Sequence, residues 1–321
     1  MNDTGTIVAL ISDHTERTVW TEIFSRMEER PMLVEMHDIS LVVKDIRKRG
    51  LRASLVIVST RVYPQAYPKI VSQARQLFPD AEILLMGLAT DPPPPLSPLL
   101  ADNVRHLLIN PVCGPFHDPD KVAFSFDLSI RRLKNGIPLS MADYLRPKTS
   151  ISEFNLSSST QKEEMIAQLE KTIGGYSQEC EMLRMKAALL ADEMLENAFY
   201  AAPRGAHSEP LYLKGKKRNL AEGENVVFRY GFDGDTLALE VADGWGTLSS
   251  DAFFDHVIQN MNAVGPHEEI GGRGLFIIWR FLDELLIRIN PGNQTVIGGH
   301  LRLSTAGLMP EIKGFHITTG P

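Results

Sequence analysis

Along roughly the first 130 residues, short apolar runs rich in β-branched side chains alternate with stretches of helical period. Thr6 to Ile11 (TIVALI) is apolar throughout, the pattern of a strand buried on both faces of a parallel sheet. Ser54 to Val58 (SLVIV) and Ile83 to Leu88 (ILLMGL) repeat it, and Val104 to Ile109 (VRHLLI) is a fourth candidate. Between them Thr18 to Glu28, Ile39 to Arg49 and Tyr67 to Leu77 carry helical spacing. This βα alternation predicts an α/β domain, a doubly wound parallel sheet, over residues 1–135. The tract Asp91 to Pro98 (DPPPPLSP) reads as a stiff extended connector, because consecutive prolines continue neither a helix nor a ladder. A ligand for a polyproline-binding module is a second, less favoured reading of it.

Lys121 to Leu133 is helical in pattern, and Asn135-Gly136 closes that element. Residues 136–150, holding Pro138, Pro147 and several polar residues, read as a linker. From 151 to 321 the order changes. A short strand (Ile151 to Leu156) precedes a Ser-capped helix from Thr160 to Ile173. Gly174-Gly175 stops that helix, and a second runs from about Gln178 to Ala201. Strands at Asn225 to Phe232 and Thr236 to Ala242 flank the turn Asp233-Gly234-Asp235. A helix from Ser250 to Met261, a glycine-rich stretch and a helix from Leu275 to Phe281 follow. Two strands, Leu285 to Asn290 and Thr295 to Leu303, then pair across Pro291-Gly292-Asn293. Helices on one face of a mixed, mostly antiparallel sheet make an α+β sandwich.

Charge and composition narrow the function classes. A net charge of −7 over 321 residues argues against a broad nucleic-acid face, and the short basic run Lys214 to Arg218 reads as a solvated loop. The two cysteines, Cys113 and Cys180, make no disulfide framework and suit a reducing cytoplasm. The chain opens on Asn, Asp and Thr with no basic-then-apolar leader. Its apolar runs fall far short of the roughly 20 residues a membrane helix needs. The expectation is a cytoplasmic protein that neither spans a membrane nor binds nucleic acid directly.

Three segments of the second half carry chemistry together. In Ala191 to Ala198 (ADEMLENA), Glu193 and Asn197 stand at i and i+4, on one helix face. A carboxylate beside a carboxamide suits holding a hydrated Mg²⁺ and deprotonating an incoming hydroxyl. In Val241 to Leu248 (VADGWGTL), Asp243 at a strand end can accept from an exocyclic amine, while Gly244 and Gly246 let a base approach the backbone. In Gly271 to Ile278 (GGRGLFII), Gly272 and Gly274 precede an apolar helix whose free N–H groups form an anion site. Each segment alone has an ordinary structural reading: a solvated helix edge, a common turn pair, a loop before a helix.

In this order the three resemble the N, G1 and G2 boxes of GHKL ATPases. Gly271 to Leu285 (GGRGLFIIWRFLDEL) looks especially like the phosphate-loop helix of anti-sigma-factor serine kinases. The resemblance covers about residues 150 to 304. It implies the Bergerat fold, with ATP and Mg²⁺ as cofactors. Glu193 would be the catalytic base, Asn197 the Mg²⁺ ligand and Asp243 the adenine anchor, with Gly272 and Gly274 as the phosphate loop and Thr295 assisting adenine. The family's G1 box is Asp-x-Gly-x-Gly, whereas here the glycines fall one and three residues after Asp243. Either the loop is one residue shorter, or Ala242 takes the anchoring position. The alternation of Leu237, Leu239 and Val241 with an outward Glu240 favours the shorter loop. A histidine-kinase reading fails, since Thr160 to Ala201 contains no histidine.

The first half resembles a response-regulator receiver by its alternation. The receiver's acidic pair, phosphorylated Asp, Ser/Thr and Lys correspond here to Ser12-Asp13, Ser59, Gly87 and Asn110-Pro111. That implies a pseudo-receiver used for docking or dimerisation, with some other doubly wound domain as the alternative. Together the resemblances imply a bacterial signalling protein whose GHKL domain binds ATP and phosphorylates Ser or Thr of a partner. That partner would be a sigma factor, an anti-sigma antagonist or another signalling protein. The competing reading is a catalytically inactive interaction scaffold with weak or no nucleotide binding. An ATP-driven conformational machine is a third, for which no transducer residues remain.

Overall fold

The structure, a computed structural model, describes residues 5–36, 39–50, 52–64, 68–88, 91, 94–110, 119–205, 209–262, 273–303 and 313–320. The chain divides into two compact units, Met1–Leu139 and Ser140–Pro321. It is a mixed α/β protein.

The first unit holds strands β1 (Thr6–Ile11), β2 (Met32–Glu35), β3 (Ala53–Ser59), β4 (Glu82–Leu88) and β5 (His106–Asn110), all parallel, in the order 2-1-3-4-5. Helices α1 (His14–Ser25), α2 (Ile39–Lys48), α3 (Ile70–Leu77), α4 (Leu96–Ala101) and α5 (Pro119–Lys134) alternate with them. On one face Ile7, Ala9, Ile57 and Leu84 pack with Trp20 and Phe24 of α1 and Phe126 and Ile130 of α5. The intervening residues Val8, Leu10, Val56, Val58 and Leu85 are buried as well, which is why these strands are apolar without interruption.

Three local features depart from the sequence pattern. Asp13 caps α1 by accepting from Glu16 N at 2.9 Å, so the helix begins four residues before its periodic stretch. The four-residue β2 has too little alternation to register. The proline tract is not extended throughout, because α4 starts at Leu96 and takes Pro98 into its first turn. The N–H groups there have no intrahelical partner to lose.

The second unit holds β6 (Ile151–Leu156), β7 (Val226–Phe232), β8 (Thr236–Asp243), β9 (Glu284–Asn290), β10 (Gln294–Arg302) and β11 (Gly314–Thr319). Their order is β11-β9-β10-β8-β7-β6, antiparallel except that β11 runs parallel to β9. The strand β11 lies in the tail that had no assignment from the sequence, and it buries Phe315 and Ile317. Helices α6 (Lys162–Thr172), α7 (Gln178–Glu196), α8 (Ser250–Asn262) and α9 (Arg273–Phe281) complete the unit. Leu237, Leu239, Val241 and Asp243 share one strand face with Thr295 and Ile297 opposite, and α7 packs against both β8 and β10.

The other face of this sheet is covered too. Ala238 packs with Met141 and Leu145 from the turn Met141–Tyr144, which Ser140 and Asp143 cap reciprocally. The boundary between units therefore falls inside the stretch expected to join them, and Met141, Tyr144 and Leu145 belong to the second core. Glu240, expected to face outward, is 3% exposed. It is held between Arg229 at 3.1 Å and Arg288 at 3.0 Å. Its alternation with apolar neighbours is real, but both faces of β8 are buried. Among the described residues no helix is long and apolar enough to cross a membrane.

Candidate functional site

Helix α7 begins at a Ser177 cap that accepts from Cys180 N at 3.3 Å, with Glu179 and Glu181 in its first turn, where carboxylates suit the helix dipole. At its other end the backbone widens into one π turn over Asn197–Ala201, marked by the bond from Ala202 N to Asn197 O at 2.8 Å. Single π turns are rare and concentrate at functional sites. Phe199 and Tyr200 are buried there, and the Tyr200 hydroxyl donates to Lys216 O. The buried Arg218 donates to Phe199 O, pairs with Glu224 and stacks on the Tyr212 ring at 3.7 Å.

Glu193 and Asn197 stand one turn apart on this helix, and Gly274 at the start of α9 lies over both. A Cβ at Gly274 would fall 2.6 Å from Glu193 Oε2 and 3.4 Å from both amide atoms of Asn197. The backbone approaches these side chains as closely as a glycine permits. Burial raises the Glu193 carboxyl above its ordinary value, an effect the nearby Lys214 opposes. Asn197 Nδ2 is buried with no hydrogen-bond partner among the described residues. At the far end of α9, Lys313 donates to Leu282 O at 2.8 Å and to Arg280 O, closing that helix terminus.

Asp243 ends β8 and is 6% exposed. Its Oδ1 accepts from Trp245 N at 2.9 Å, and burial pushes its carboxyl up to about 6 against the pull of backbone N–H groups at Trp245, Gly246 and Thr295. Thr295 stands directly opposite on β10, and its Oγ1 is buried without a partner among the described residues. Gly244 donates its N–H to Asn225 O at 2.9 Å. Gly246 takes φ +59°, and a Cβ there would meet Asn290 O at 2.3 Å and Gly292 N at 2.7 Å. Both glycines make backbone contacts beside the site. Gly246 needs its missing side chain for the β9–β10 turn.

Between α7, α8, the start of α9 and the strand ends lies a cavity of about 490 Å³, within the range of small-molecule sites. Asn197, Asp243 and Thr295 line it, with Met194, Val241, Leu275 and Ile297 supplying an apolar wall. Thr247 closes one side by donating from Oγ1 to Ala202 O at 2.6 Å. His256 of α8 also lines the cavity, and its Nδ1 is buried with no partner among the described residues. Sequence reasoning missed His256 and the π turn. Ala252 and His256 share a face at i and i+4, a signal that has meaning only once the inward face of α8 is known.

The structure thus brings Asn197, Asp243 and Thr295 to one cavity; Glu193 and Gly274 meet each other beside Asn197 but are not part of the cavity lining, and Gly272 lies outside the described residues. Among the described residues no group of three or more His, Cys, Asp or Glu could hold a metal. In the first unit, the strand ends gather around Glu16 instead. This fully buried carboxylate accepts from Ser12 N at 2.7 Å, Ser12 Oγ at 2.8 Å and Trp20 Nε1 at 3.0 Å, and from the Ser59 hydroxyl. Gly87 faces Thr60, whose Oγ1 would lie 2.5 Å from an added Cβ. The Asn110 side chain and Pro111 lie outside the described residues.

No family model matches the chain, and no curated protein matches it. A solved structure described as a pilus assembly-related protein from Burkholderia pseudomallei aligns with a TM-score of 0.30 at 14% identity, covering 43% of this chain and 96% of that one.

Proposed function

We propose that residues 151–321 form a GHKL-type domain that binds ATP with Mg²⁺ and transfers the terminal phosphoryl group to a Ser or Thr of a partner protein, as anti-sigma-factor serine kinases do. One observation carries the reading: Asn197, Asp243 and Thr295, the residues that the family resemblance implies, line a single cavity, and two of them hold buried polar atoms without partners among the described residues. Buried donors and acceptors are ordinarily satisfied, so such a cluster suits a polar ligand. A Mg²⁺ ion takes few protein ligands and completes its shell from phosphates and water, which agrees with one carboxamide and no metal-binding cluster among the described residues.

In this reading Asp243 accepts from the adenine amine, with Thr295 beside it, and the amides at the start of α9 receive phosphate oxygens. Asn197 supplies an oxygen to Mg²⁺. ATP supplies the transferable group, and its metal shields the charge that develops. Glu193 takes the proton of the partner hydroxyl as that oxygen bonds to phosphorus and the bond to the ADP oxygen breaks. Ser59, at the place of a receiver's phosphorylated Asp, is buried and bonded to Glu16, which supports a first unit without phosphoacceptor chemistry.

Incubation with labelled ATP and candidate partner proteins, beside a Glu193→Ala control, tests the reaction. Transfer no greater than the control removes it. A scaffold without nucleotide is favoured by one observation, the engagement of Gly244 and Gly246 with neighbouring backbone. Calorimetry separates the two: heat with ATP and Mg²⁺ that is lost in Asp243→Ala supports the nucleotide site, and no heat at millimolar ATP supports the scaffold.

A further inference from the structure

We propose that Lys214 is a phosphate-binding residue of this site, held by Glu193 and Glu196 until a nucleotide triphosphate draws it away. The inference rests on the nucleotide reading above and adds to it a residue outside the three boxes.

Lys214 sits in a loop that is pinned at both ends. On one side Leu211 N donates to Pro203 O at 3.2 Å. On the other the Tyr200 hydroxyl holds Lys216 O, and the buried Arg218 is bonded to Phe199 O and Glu224. These anchors tie the loop to the π turn at the end of α7, so the position of Lys214 follows from the same backbone that places Asn197. Its Nζ lies 4.0 Å from Glu193 Oε2 and 3.7 Å from Glu196 Oε2, while the side chain is 67% exposed. Ion pairs at such separations on an exposed lysine add little stability. Lys214 is therefore loosely held.

The contrast with Lys162 is informative. Lys162 grips Asp192 at 2.8 Å and bonds Glu196 Oε1 directly, and it is 18% exposed. Glu196 Oε2 remains buried without a hydrogen-bond partner among the described residues. Lys162 is thus the fixed counter-ion of this carboxylate group, and Lys214 is the exchangeable one.

Exchange has a physical motive. Gly274 and the start of α9 lie against Glu193 Oε2, so any phosphate bound by those amides arrives beside a carboxylate. Two like charges at such range repel by several times the thermal energy in a partly buried site. Arg273 is exposed and also acts on Glu193, but among the described residues Lys214 is the cation that forms an ion pair with it. Its ammonium can leave the carboxylates, meet the terminal phosphate, and free Glu193 to accept a proton.

The test is calorimetric titration of the full chain with ATP and with AMP in the presence of Mg²⁺, for wild type, Lys214→Ala and Lys214→Arg. Lys214→Ala should weaken ATP about tenfold, the equivalent of one charge-assisted contact, and leave AMP within about twofold. Lys214→Arg should recover most of the ATP affinity. Equal ATP affinity in wild type and Lys214→Ala, or equal loss for ATP and AMP, overturns the assignment while leaving the nucleotide reading intact. Absence of heat from either nucleotide with wild type overturns that reading and the assignment with it.

Discussion

Gly274 leaves Glu193 its place: a methyl group at residue 274 would sit 2.6 Å from Glu193 Oε2. Gly274→Ala therefore separates site from fold. Alanine is favoured over glycine inside a helix by about 0.5–1 kcal/mol, so thermal stability should change by no more than roughly 1 kcal/mol. Glu193 must move and Asn197 is crowded, so ATP affinity in calorimetry should fall about tenfold or more. Unchanged ATP binding in a folded variant means that Glu193 and Asn197 do not serve the ligand.

Asp243 makes the second unit less stable than its packing allows. Its carboxyl titrates near 6 in the folded chain against 3.8 for the free side chain, because burial opposes the charge. A carboxyl with a raised folded value contributes fully below the unfolded value, and that contribution is lost as pH rises through the folded one. At 1.36 kcal/mol per pH unit, the cost above pH 6 is about 3 kcal/mol. Asp243→Asn should therefore raise the melting temperature at pH 8, with the gap closing as pH falls from 6 to 4. A gap independent of pH would mean that the carboxylate is not the source of the cost.

The same two positions show how much of the protein was legible in its sequence. Continuous apolar runs mark β1, β3 and β4, and the i, i+4 spacing of Glu193 and Asn197 puts both on one helix face. The resemblance of the ordered boxes to a known family implied Asn197 and Asp243, and the family's penultimate-strand position implied Thr295. What escaped depends on contacts remote in sequence. The π turn after Glu196 is stabilised by Tyr200 and Arg218 reaching residues 216 and 199. Glu16 meets Ser59 across 43 positions. Glu240 is buried on a face it shares with Ala238 and Ala242, because Arg229 and Arg288 arrive from the strands on either side of β8 and β10.

Ser59 donates to Glu16, so placing an acid at residue 59 opposes two carboxylates in a buried pocket. Ser59→Asp should destabilise the first unit by about 3 kcal/mol or more, the range for an uncompensated buried charge. Chemical denaturation followed by tryptophan fluorescence reports it, since Trp20 Nε1 donates to the same Glu16. The effect should shrink at low pH, where one of the two acids takes a proton. A stable Ser59→Asp variant would show that Glu16 yields its place and that the site can be refitted for an acidic residue.

Tyr144 belongs to the stretch that reads as a linker, yet its hydroxyl donates to Glu284 Oε1 at 2.7 Å and its ring lies 4.4 Å from that of His300. Burial pushes the Glu284 carboxyl up, but the His316 imidazole at 3.2 Å, the charges of the two histidines and the Tyr144 hydroxyl outweigh it and hold the group well below the usual carboxylate range. A lowered folded value means stability that is present above the free carboxyl's 4.5 and is lost as pH falls through the folded value. Tyr144→Phe removes one of those donors and keeps the ring. It should cost about 1–3 kcal/mol at neutral pH, the range for a buried acceptor that loses its partner. It should also move acid unfolding of the second unit to a higher pH, because Glu284 then binds its proton sooner. Circular dichroism along an acid titration measures both effects, and a midpoint shared by wild type and variant would show that Glu284 draws its low value from the histidines alone.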